Sequence, residues 1–185
     1  MKTGIWWWDA LISMFNPGGS SLSMNTEIEE TGYNTEAERM SNRDRLKTAC
    51  DFAVAAPMWE PSNGITHCNE AVAYIAEEMG CRDLRHLLAN DQIEAMAGSP
   101  DWQEDLMERA VLHASRGGLA VATMAEEPHG HVCVVYPAPM QPSGSWGVPV
   151  AVVANVGRKN AIMRLSEAFK AADADRVRFF LHGEV

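Results

Sequence analysis

The chain has 185 residues, which is the length of one compact domain or of one domain with a short arm. Apolar residues make up 46% of the sequence and charged residues 22%, a balance that argues against disorder, collagen and low-complexity structure. The 25 acidic and 15 basic residues give a net charge of −10. We therefore expect no nucleic-acid partner, because phosphate binding needs clustered Lys and Arg.

Residues 1–33 differ in composition from the rest of the chain. The tryptophan-rich apolar stretch at residues 5–15 is followed by turn-forming Pro, Gly and Ser and then by polar residues. We interpret residues 1–33 as an arm or tether, whose apolar part either packs on the domain or binds a protein partner or a membrane surface. Residues 34–185 then form a single domain.

The apolar stretch does not predict a signal peptide or a membrane span. Asp9 interrupts it, and residues 16–19 make a poor cleavage site, so we expect synthesis in the cytoplasm without a cleavable signal peptide. No apolar run reaches the roughly 18 residues that span a bilayer, so we expect no stable membrane insertion. The four cysteines show no CxxC spacing and are interpreted as free thiols.

The first predicted elements are helices. Thr35 and Glu38 form a capping-box pair, which predicts a helix from there to about Ala55. A second helix is predicted to begin at Cys68, because apolar residues recur with helical spacing after it, and to end at Gly80.

Three further helices are predicted before the hydrophobic period changes. Two short ones are expected over residues 83–89 and 91–97. Ser99 and Pro100 supply an N-cap and a first-turn proline, which predict a helix that continues to residues 117–118.

The second part of the chain is predicted to be rich in strands. Short β-branched segments at residues 119–124, 131–136 and 150–154 are separated by turn-forming residues. A helix is expected over residues 159–171 and a last strand over residues 176–182. Helices first and strands afterwards predict an α+β fold with an antiparallel sheet.

Cys68 is the sharpest candidate for chemistry. It stands in the first turn of a predicted helix, where unpaired backbone N–H groups and the helix dipole stabilise a thiolate and an oxyanion. The alternative is a small buried residue on the core side of the helix, which is a common position for cysteine.

His131 and Asn155 are the candidates that would complete a catalytic group. His131 begins an apolar strand, where its imidazole could lie beside the helix start and act as a base. Asn155 ends the next strand of a predicted antiparallel pair, so the two residues are expected to be neighbours. An amide there would fix the imidazole tautomer. The alternatives are a partly buried His131 with its hydrogen bonds satisfied and no catalytic role, and an Asn155 that is there only because Asn is common at strand ends and turns.

The order of these residues resembles the papain-like cysteine peptidases of the NlpC type, the related CHAP amidases and the small cell-wall amidases that bacteria inject as interbacterial toxins. In those families a cysteine opens a helix, a histidine follows in a Gly-His-Val strand, and a third polar residue lies on the next strand. The resemblance covers about residues 60–156, and its matching segments are Thr66-His67-Cys68-Asn69-Glu70-Ala71-Val72, Gly130-His131-Val132-Cys133-Val134-Val135, Leu88-Ala89-Asn90-Asp91-Gln92 and Gly117-Gly118-Leu119-Ala120-Val121.

The resemblance implies a papain-like fold and an enzyme that needs neither cofactor nor metal. Cys68 would be the nucleophile, His131 the general base and Asn155 the orienting residue. His67 and Glu70 depart from the family pattern, which has Asp and Gly there, so the oxyanion would be held by the Cys68 backbone N–H.

The substrate implied by the resemblance is an amide bond in the stem or crosslink peptides of bacterial peptidoglycan. The enzyme would then be exported or injected to reach the cell wall, although a cytosolic enzyme is equally compatible with the sequence. His67, Asn69 and Trp146 are the candidate substrate-binding residues. His67 is expected to cap the helix or line the cleft, and Trp146 to cover the cleft or to anchor its own loop.

Three alternatives remain open. An acyltransferase or transamidase would use the same Cys and His but transfer the acyl group to an amine. A binding module without activity would bury Cys68 and use the tryptophan-rich N terminus. His129, His131 and Cys133 form an HxHxC pattern that could bind zinc or copper, but no fourth ligand is indicated nearby.

Overall fold

The computed structural model describes residues 36–183 of the chain. The expected arm at residues 1–33 and Thr35 of the capping box lie outside this range. Within it, no helix is both long and apolar enough to cross a membrane.

Helices occupy mainly the first half of the described region. They are α1 (Glu36–Ala55), α2 (Cys68–Glu78), α3 (Ala89–Gly98), α4 (Met107–Ser115) and the short α5 (Leu165–Ala168). Two 3-10 helices lie at Pro57–Trp59 and Ala171–Arg176.

Six strands form one sheet in which every neighbouring pair is antiparallel, in the order β1-β8-β2-β3-β6-β7. They are β1 (Trp102–Asp105), β2 (Ala120–Met124), β3 (His131–Val135), β6 (Val152–Asn155), β7 (Ala161–Arg164) and β8 (Arg178–His182). Two short strands, β4 (Gln141–Pro142) and β5 (Pro149–Val150), pair with each other in the connection between β3 and β6. The predicted α+β class with helices packed on an antiparallel sheet is confirmed.

The core lies between the helices and the middle of the sheet. The buried residues of α1, Leu46, Ala49, Cys50 and Ala53, follow the spacing of one helical face. Helix α1 packs on α2, β6 and β7, while α2 packs on β3.

All five residues of β2 are buried, as are the last four of β3. Burial on both faces explains why these two strands are mostly apolar rather than alternating, with Thr123 the one buried polar residue among them.

The first parts of two predicted helices are wrong because those residues pair across the sheet instead. Residues 102–105, expected within a helix, form β1 at the edge of the sheet against β8. Glu104 in β1 is held by an ion pair with Arg178 of β8 (Arg178 Nε to Glu104 Oε1, 2.7 Å). Residues 161–164, also expected within a helix, form β7 against β6. In both places pairing with a neighbouring strand outweighs the weak local preference of a four-residue segment.

Two smaller differences concern segment length. Residues 83–86, expected to begin a short helix, form turns. The helix expected from Ser99 begins only at Met107, after β1.

Gly117 provides a stability test of the packing between α4 and α1. Its φ is +87°, and a Cβ at this position would lie 2.5 Å from the backbone nitrogen of Arg43 in α1. We expect Gly117→Ala to lower the free energy of unfolding by about 3 kcal/mol or more, because left-handed strain adds to overpacking. Gly80 is the matched control, since its φ is +91° but no atom lies within 4 Å of a Cβ there.

The control substitution Gly80→Ala should cost only the backbone strain of about 1–2 kcal/mol. Urea denaturation of both variants measures the difference. Equal losses of stability would contradict a close approach of α1 to Gly117.

Candidate active site

His131 and Asn155 lie at the same end of the sheet. His131 begins β3 and Asn155 ends β6, and the two strands are antiparallel with Val134 opposite Ala154. Continuing this register places Gly157 opposite His131. A Cβ on Gly157 would lie 3.3 Å from Cε1 of the His131 ring. The absence of a side chain there therefore leaves room for the ring to extend across the strand towards Asn155.

A hydrogen bond joins the two side chains, as the sequence predicts. His131 Nε2 lies 2.7 Å from Asn155 Oδ1, and Asn155 Nδ2 donates to the backbone oxygen of Lys159 at 2.7 Å. Because a carbonyl oxygen can only accept, the second bond fixes which way the amide points. Its oxygen must accept from His131, so Nε2 carries the proton of the neutral imidazole. Nδ1 is then left as the basic nitrogen.

The hydrogen bond is shielded from water. The ring of Phe169 packs edge-on against His131, with ring centroids 5.3 Å apart and an angle of 60° between the planes. Phe169 and Asn155 are both buried. Burial lowers the pKa of His131 below its ordinary value, and the hydrogen bond to Asn155 partly opposes that change. The side chain is therefore a neutral imidazole at pH 7, which is the form that can accept a proton.

Cys68 is the first residue of α2, as predicted, and its side chain is buried. The first helical hydrogen bond runs from Ala71 N to His67 O (3.0 Å), so the N–H groups of residues 68–70 have no partner within the helix. Nearby backbone N–H groups, including those of Val132 and Asn69, act to lower the pKa of the Cys68 thiol. Burial has the larger effect and raises the pKa of Cys68. The resting group is thus a thiol that needs a base.

The thiol and the imidazole open onto two adjoining clefts. One cleft of about 590 Å³ is lined by His131 and Asn155, and a second of about 510 Å³ is lined by Cys68. The two share four lining residues, Gly64, Thr66, His129 and Gly130. Cys68 lines only the second cleft and His131 only the first, so the structure brings the two residues to neighbouring clefts rather than to a single one. Helix α2 packs on β3, the strand that begins at His131.

The charges that line the two clefts differ. The Cys68 cleft carries three acidic side chains, Asp91, Glu94 and Glu127. The His131 cleft contains both signs, with the basic residues Arg158, Lys159 and Lys170 and the acidic residues Glu126, Glu167 and Asp173. A ligand that spans both clefts would meet an acidic environment on one side and a mixed one on the other.

The three predicted substrate-binding residues differ in position. Asn69 lines the Cys68 cleft, but its Nδ2 donates to the backbone oxygen of Leu87 (2.8 Å), which ties α2 to the next segment. His67 is the N-cap residue of α2, yet its side chain makes no capping bond. Instead its Nδ1 pairs with Glu70 Oε2 at 3.1 Å. His67 is not among the described residues that line either cleft.

Trp146 does not lie at the site, so the expectation that it covers the cleft is wrong. It stands in the connection between the end of β3 and the start of β6. His131 and Asn155 occupy the opposite ends of these two strands. Trp146 packs against the core, and its backbone N–H bonds to Ser143 Oγ at 3.2 Å. Its role is the second one considered from the sequence, that of a loop anchor.

The HxHxC pattern does not form a metal site in the part of the chain that the structure describes. Cys133 is buried in the core, where desolvation raises its pKa, while His129 is exposed. Nε2 of His131 is already bonded to Asn155. Among residues 36–183, a different group of side chains comes close enough together to bind one ion, namely Cys81, Asp83 and His182.

Three contributors to the site were not predicted from the sequence. They are the Lys159 carbonyl that orients Asn155, the ring of Phe169 and the N–H of Val132. Only the Lys159 carbonyl could have been predicted from the local sequence, because a Gly-Arg-Lys-Asn turn after a strand returns a carbonyl towards the strand end. In the structure this turn is held by a hydrogen bond from Gly157 N to Asn160 Oδ1 at 3.0 Å. Phe169 was expected within a helix over residues 159–171, of which only α5 forms, and it is the residue directly after α5.

Comparison of the chain with models of known protein families found no match, and neither did comparison with curated proteins. The function of the protein is therefore inferred from the geometry of the candidate site and from the resemblance of the segments around Cys68 and His131 to known motifs.

The tautomer and the pKa of His131 can be measured by NMR. We expect the neutral ring to carry its proton on Nε2 and to titrate below the ordinary imidazole value of about 6.5, because burial disfavours the charged form. In Asn155→Asp, a carboxylate beside the ring should raise the pKa of His131, since it favours the imidazolium.

Long-range ¹H–¹⁵N spectra recorded against pH give both quantities. The exposed His86 serves as a reference signal that the Asn155 substitution should leave in place. An unchanged His131 titration in Asn155→Asp would show that the two side chains are not partners in solution.

Proposed function

We propose that this protein is a cysteine amidase or peptidase with a papain-like fold. The observation that carries the proposal is the fixed hydrogen bond between His131 Nε2 and Asn155 Oδ1, beside a cysteine at a helix start. That bond leaves Nδ1 as the basic nitrogen of a buried neutral imidazole. A thiol, an oriented base and free N–H donors are the components that acyl transfer requires.

In the first step, Nδ1 of His131 takes the proton of the Cys68 thiol while the sulfur attacks the carbonyl carbon of the substrate amide. The carbonyl oxygen becomes an oxyanion, which the unpartnered N–H groups at the start of α2 stabilise. Removal of one such donor costs about 3–4 kcal/mol in other enzymes. The helix dipole adds to this stabilisation because its positive end faces the developing charge.

In the second step, the carbon–nitrogen bond breaks and the imidazolium of His131 returns its proton to the leaving amine. The acyl group remains on Cys68 as a thioester. Water then gives a proton to His131 and its oxygen attacks the thioester carbon. The acid product leaves, and the Cys68 sulfur recovers the proton from the imidazolium.

The substrate class that we propose is the stem or crosslink peptide of bacterial peptidoglycan, by resemblance to the NlpC-type and cell-wall amidases. Such peptides carry both a free amine and carboxylates. The acidic cleft beside Cys68 suits the cationic amine. The basic side chains of Arg158, Lys159 and Lys170 in the other cleft suit a carboxylate. Action on this polymer would require export or injection.

The central test is digestion of purified peptidoglycan with the wild-type protein and with Cys68→Ala. We expect the wild type to release new amine and carboxylate ends and Cys68→Ala to release none, because the substitution removes the thiol that would form the thioester. The thermal midpoint should change little. The matched control is Cys50→Ala, which removes a buried thiol of α1 and should remain active.

The fragments are read by mass spectrometry, with a second sample that contains an added amine. A product joined to that amine would assign the reaction to acyl transfer rather than hydrolysis. Full activity in folded Cys68→Ala would overturn the nucleophile assignment.

Gly157 offers an independent test of the geometry. We expect Gly157→Ala to lower turnover, because the new Cβ would press on the His131 ring at 3.3 Å and move it relative to Asn155. A loss of roughly tenfold corresponds to about 1.4 kcal/mol at the transition state. Gly144 is the control, since a Cβ there meets no atom within 4 Å and the residue lies in the β3–β6 connection, away from the site.

Steady-state rates of Gly157→Ala and Gly144→Ala on the same substrate make the comparison. Equal rates for the two variants would show that the position of the ring does not limit the reaction.

A further inference from the structure

A second group of reactive side chains lies at the far end of α2. Cys81, Asp83 and His182 each place one ligand atom within 4.8 Å of the others. Cys81 is buried, His182 is half-buried and Asp83 is exposed. None of the three lines either cleft of the candidate active site.

The end of α2 fixes the position of Cys81. Gly80 has a φ of +91°, its N–H bonds to Glu77 O at 2.9 Å, and the N–H of Cys81 bonds to Ala76 O at 2.8 Å. These two bonds form a Schellman motif, in which the residue after the glycine turns back onto the helix. Asp83 follows two residues later, which keeps its carboxylate close to the Cys81 thiol.

The position of His182 is fixed by the sheet. Its N–H donates to Leu119 O at 2.9 Å, and its carbonyl oxygen accepts from His113 Nε2 at 3.1 Å. Its ring packs edge-on against Trp102, with ring centroids 4.9 Å apart. Both the backbone and the ring of His182 are therefore held before any ligand binds.

We propose that Cys81, Asp83 and His182 form a binding site for a divalent transition-metal ion, best suited to Zn²⁺. A thiolate, an imidazole nitrogen and a carboxylate oxygen are the three donor types that zinc accepts. Bonds of about 2.0–2.3 Å in a tetrahedral arrangement put donors about 3.3–3.8 Å apart. The exposed Asp83 side chain can close the remaining distance by rotation, and its exposed side leaves the fourth position to water.

The metal also removes an electrostatic conflict. The Asp83 carboxylate places an oxygen within 4.8 Å of the Cys81 sulfur, so the carboxylate would repel a thiolate there. A divalent cation between the thiolate and the carboxylate converts this repulsion into attraction. The donor set is therefore more favourable with a cation than without one.

The site is separate from the proposed reaction. Met124, at one end of β2, pairs with His131, while Ala120, at the other end, pairs with Leu181 next to His182. The two groups thus lie at opposite ends of the sheet, and α2, about 16 Å long, connects them. A metal bound to Cys81 and His182 would hold the C-terminal end of α2 to the last strand. We therefore expect a bound metal to raise the stability of the fold rather than to take part in the proposed reaction.

The test is metal binding by the full chain after removal of bound ions. Titration with Zn²⁺ should show one equivalent bound, with a rise in the thermal midpoint. Cobalt should give a near-ultraviolet sulfur-to-cobalt absorption band. Cys81→Ala should remove the band and weaken Zn²⁺ binding by more than about tenfold, because even outer-shell partners contribute that much. Cys50→Ala is the control thiol and should bind like the wild type.

Asp83→Asn keeps the test valid if Cys81→Ala fails to fold, because Asp83 is exposed and its replacement has almost the same shape. We expect this variant to weaken Zn²⁺ binding by about tenfold. Absence of binding by the wild type would overturn the proposal. So would binding that is unchanged in Asp83→Asn or in folded Cys81→Ala. Neither result depends on whether the protein cleaves an amide.

Discussion

The amide of Asn155 is the constraint on which the candidate active site depends. It is held on one side by the Lys159 carbonyl and on the other by the His131 ring, so it cannot flip without losing both bonds. A flip would turn an N–H group towards Nε2 and favour the opposite tautomer, with Nδ1 protonated and unable to act as a base. The turn after β6 therefore decides which nitrogen of His131 is available.

Burial opposes charge at both reactive groups. It raises the pKa of Cys68 and lowers the pKa of His131, so each group alone favours its neutral form. In the proposed mechanism, proton transfer from the thiol to the imidazole would therefore accompany attack on the substrate rather than precede it. The N–H groups at the start of α2 would reduce the cost of that transfer, because they would stabilise negative charge first on sulfur and then on oxygen.

The sequence predicts features that local rules determine. Cys68 opens α2 because the apolar spacing and the turn before it are both local, and the proximity of His131 to Asn155 follows from antiparallel pairing. Residues that depend on distant partners could not be predicted. β1 exists only because β8 offers an edge, and the segment before Phe169 forms β7 and the short α5 instead of the one expected helix. The expectation that Trp146 covers the cleft was wrong for a similar reason. Its loop lies between His131 and Asn155 in the sequence, but β3 and β6 place that loop at the end of the sheet opposite to these two residues.

The two cysteines at the ends of α2 face opposite electrostatic conditions. Cys68 stands at the N-terminal end, where the helix dipole and unpaired N–H groups favour a negative sulfur. Cys81 follows the C-terminal end, where backbone carbonyl oxygens point outward and the Asp83 carboxylate lies within 4.8 Å of the thiol. A thiolate at the first end can act as a nucleophile without a counter-ion, whereas a thiolate at the second needs a cation. One helix thus accounts for both proposals, because its dipole gives the two thiols different chemistry at the two ends of the sheet.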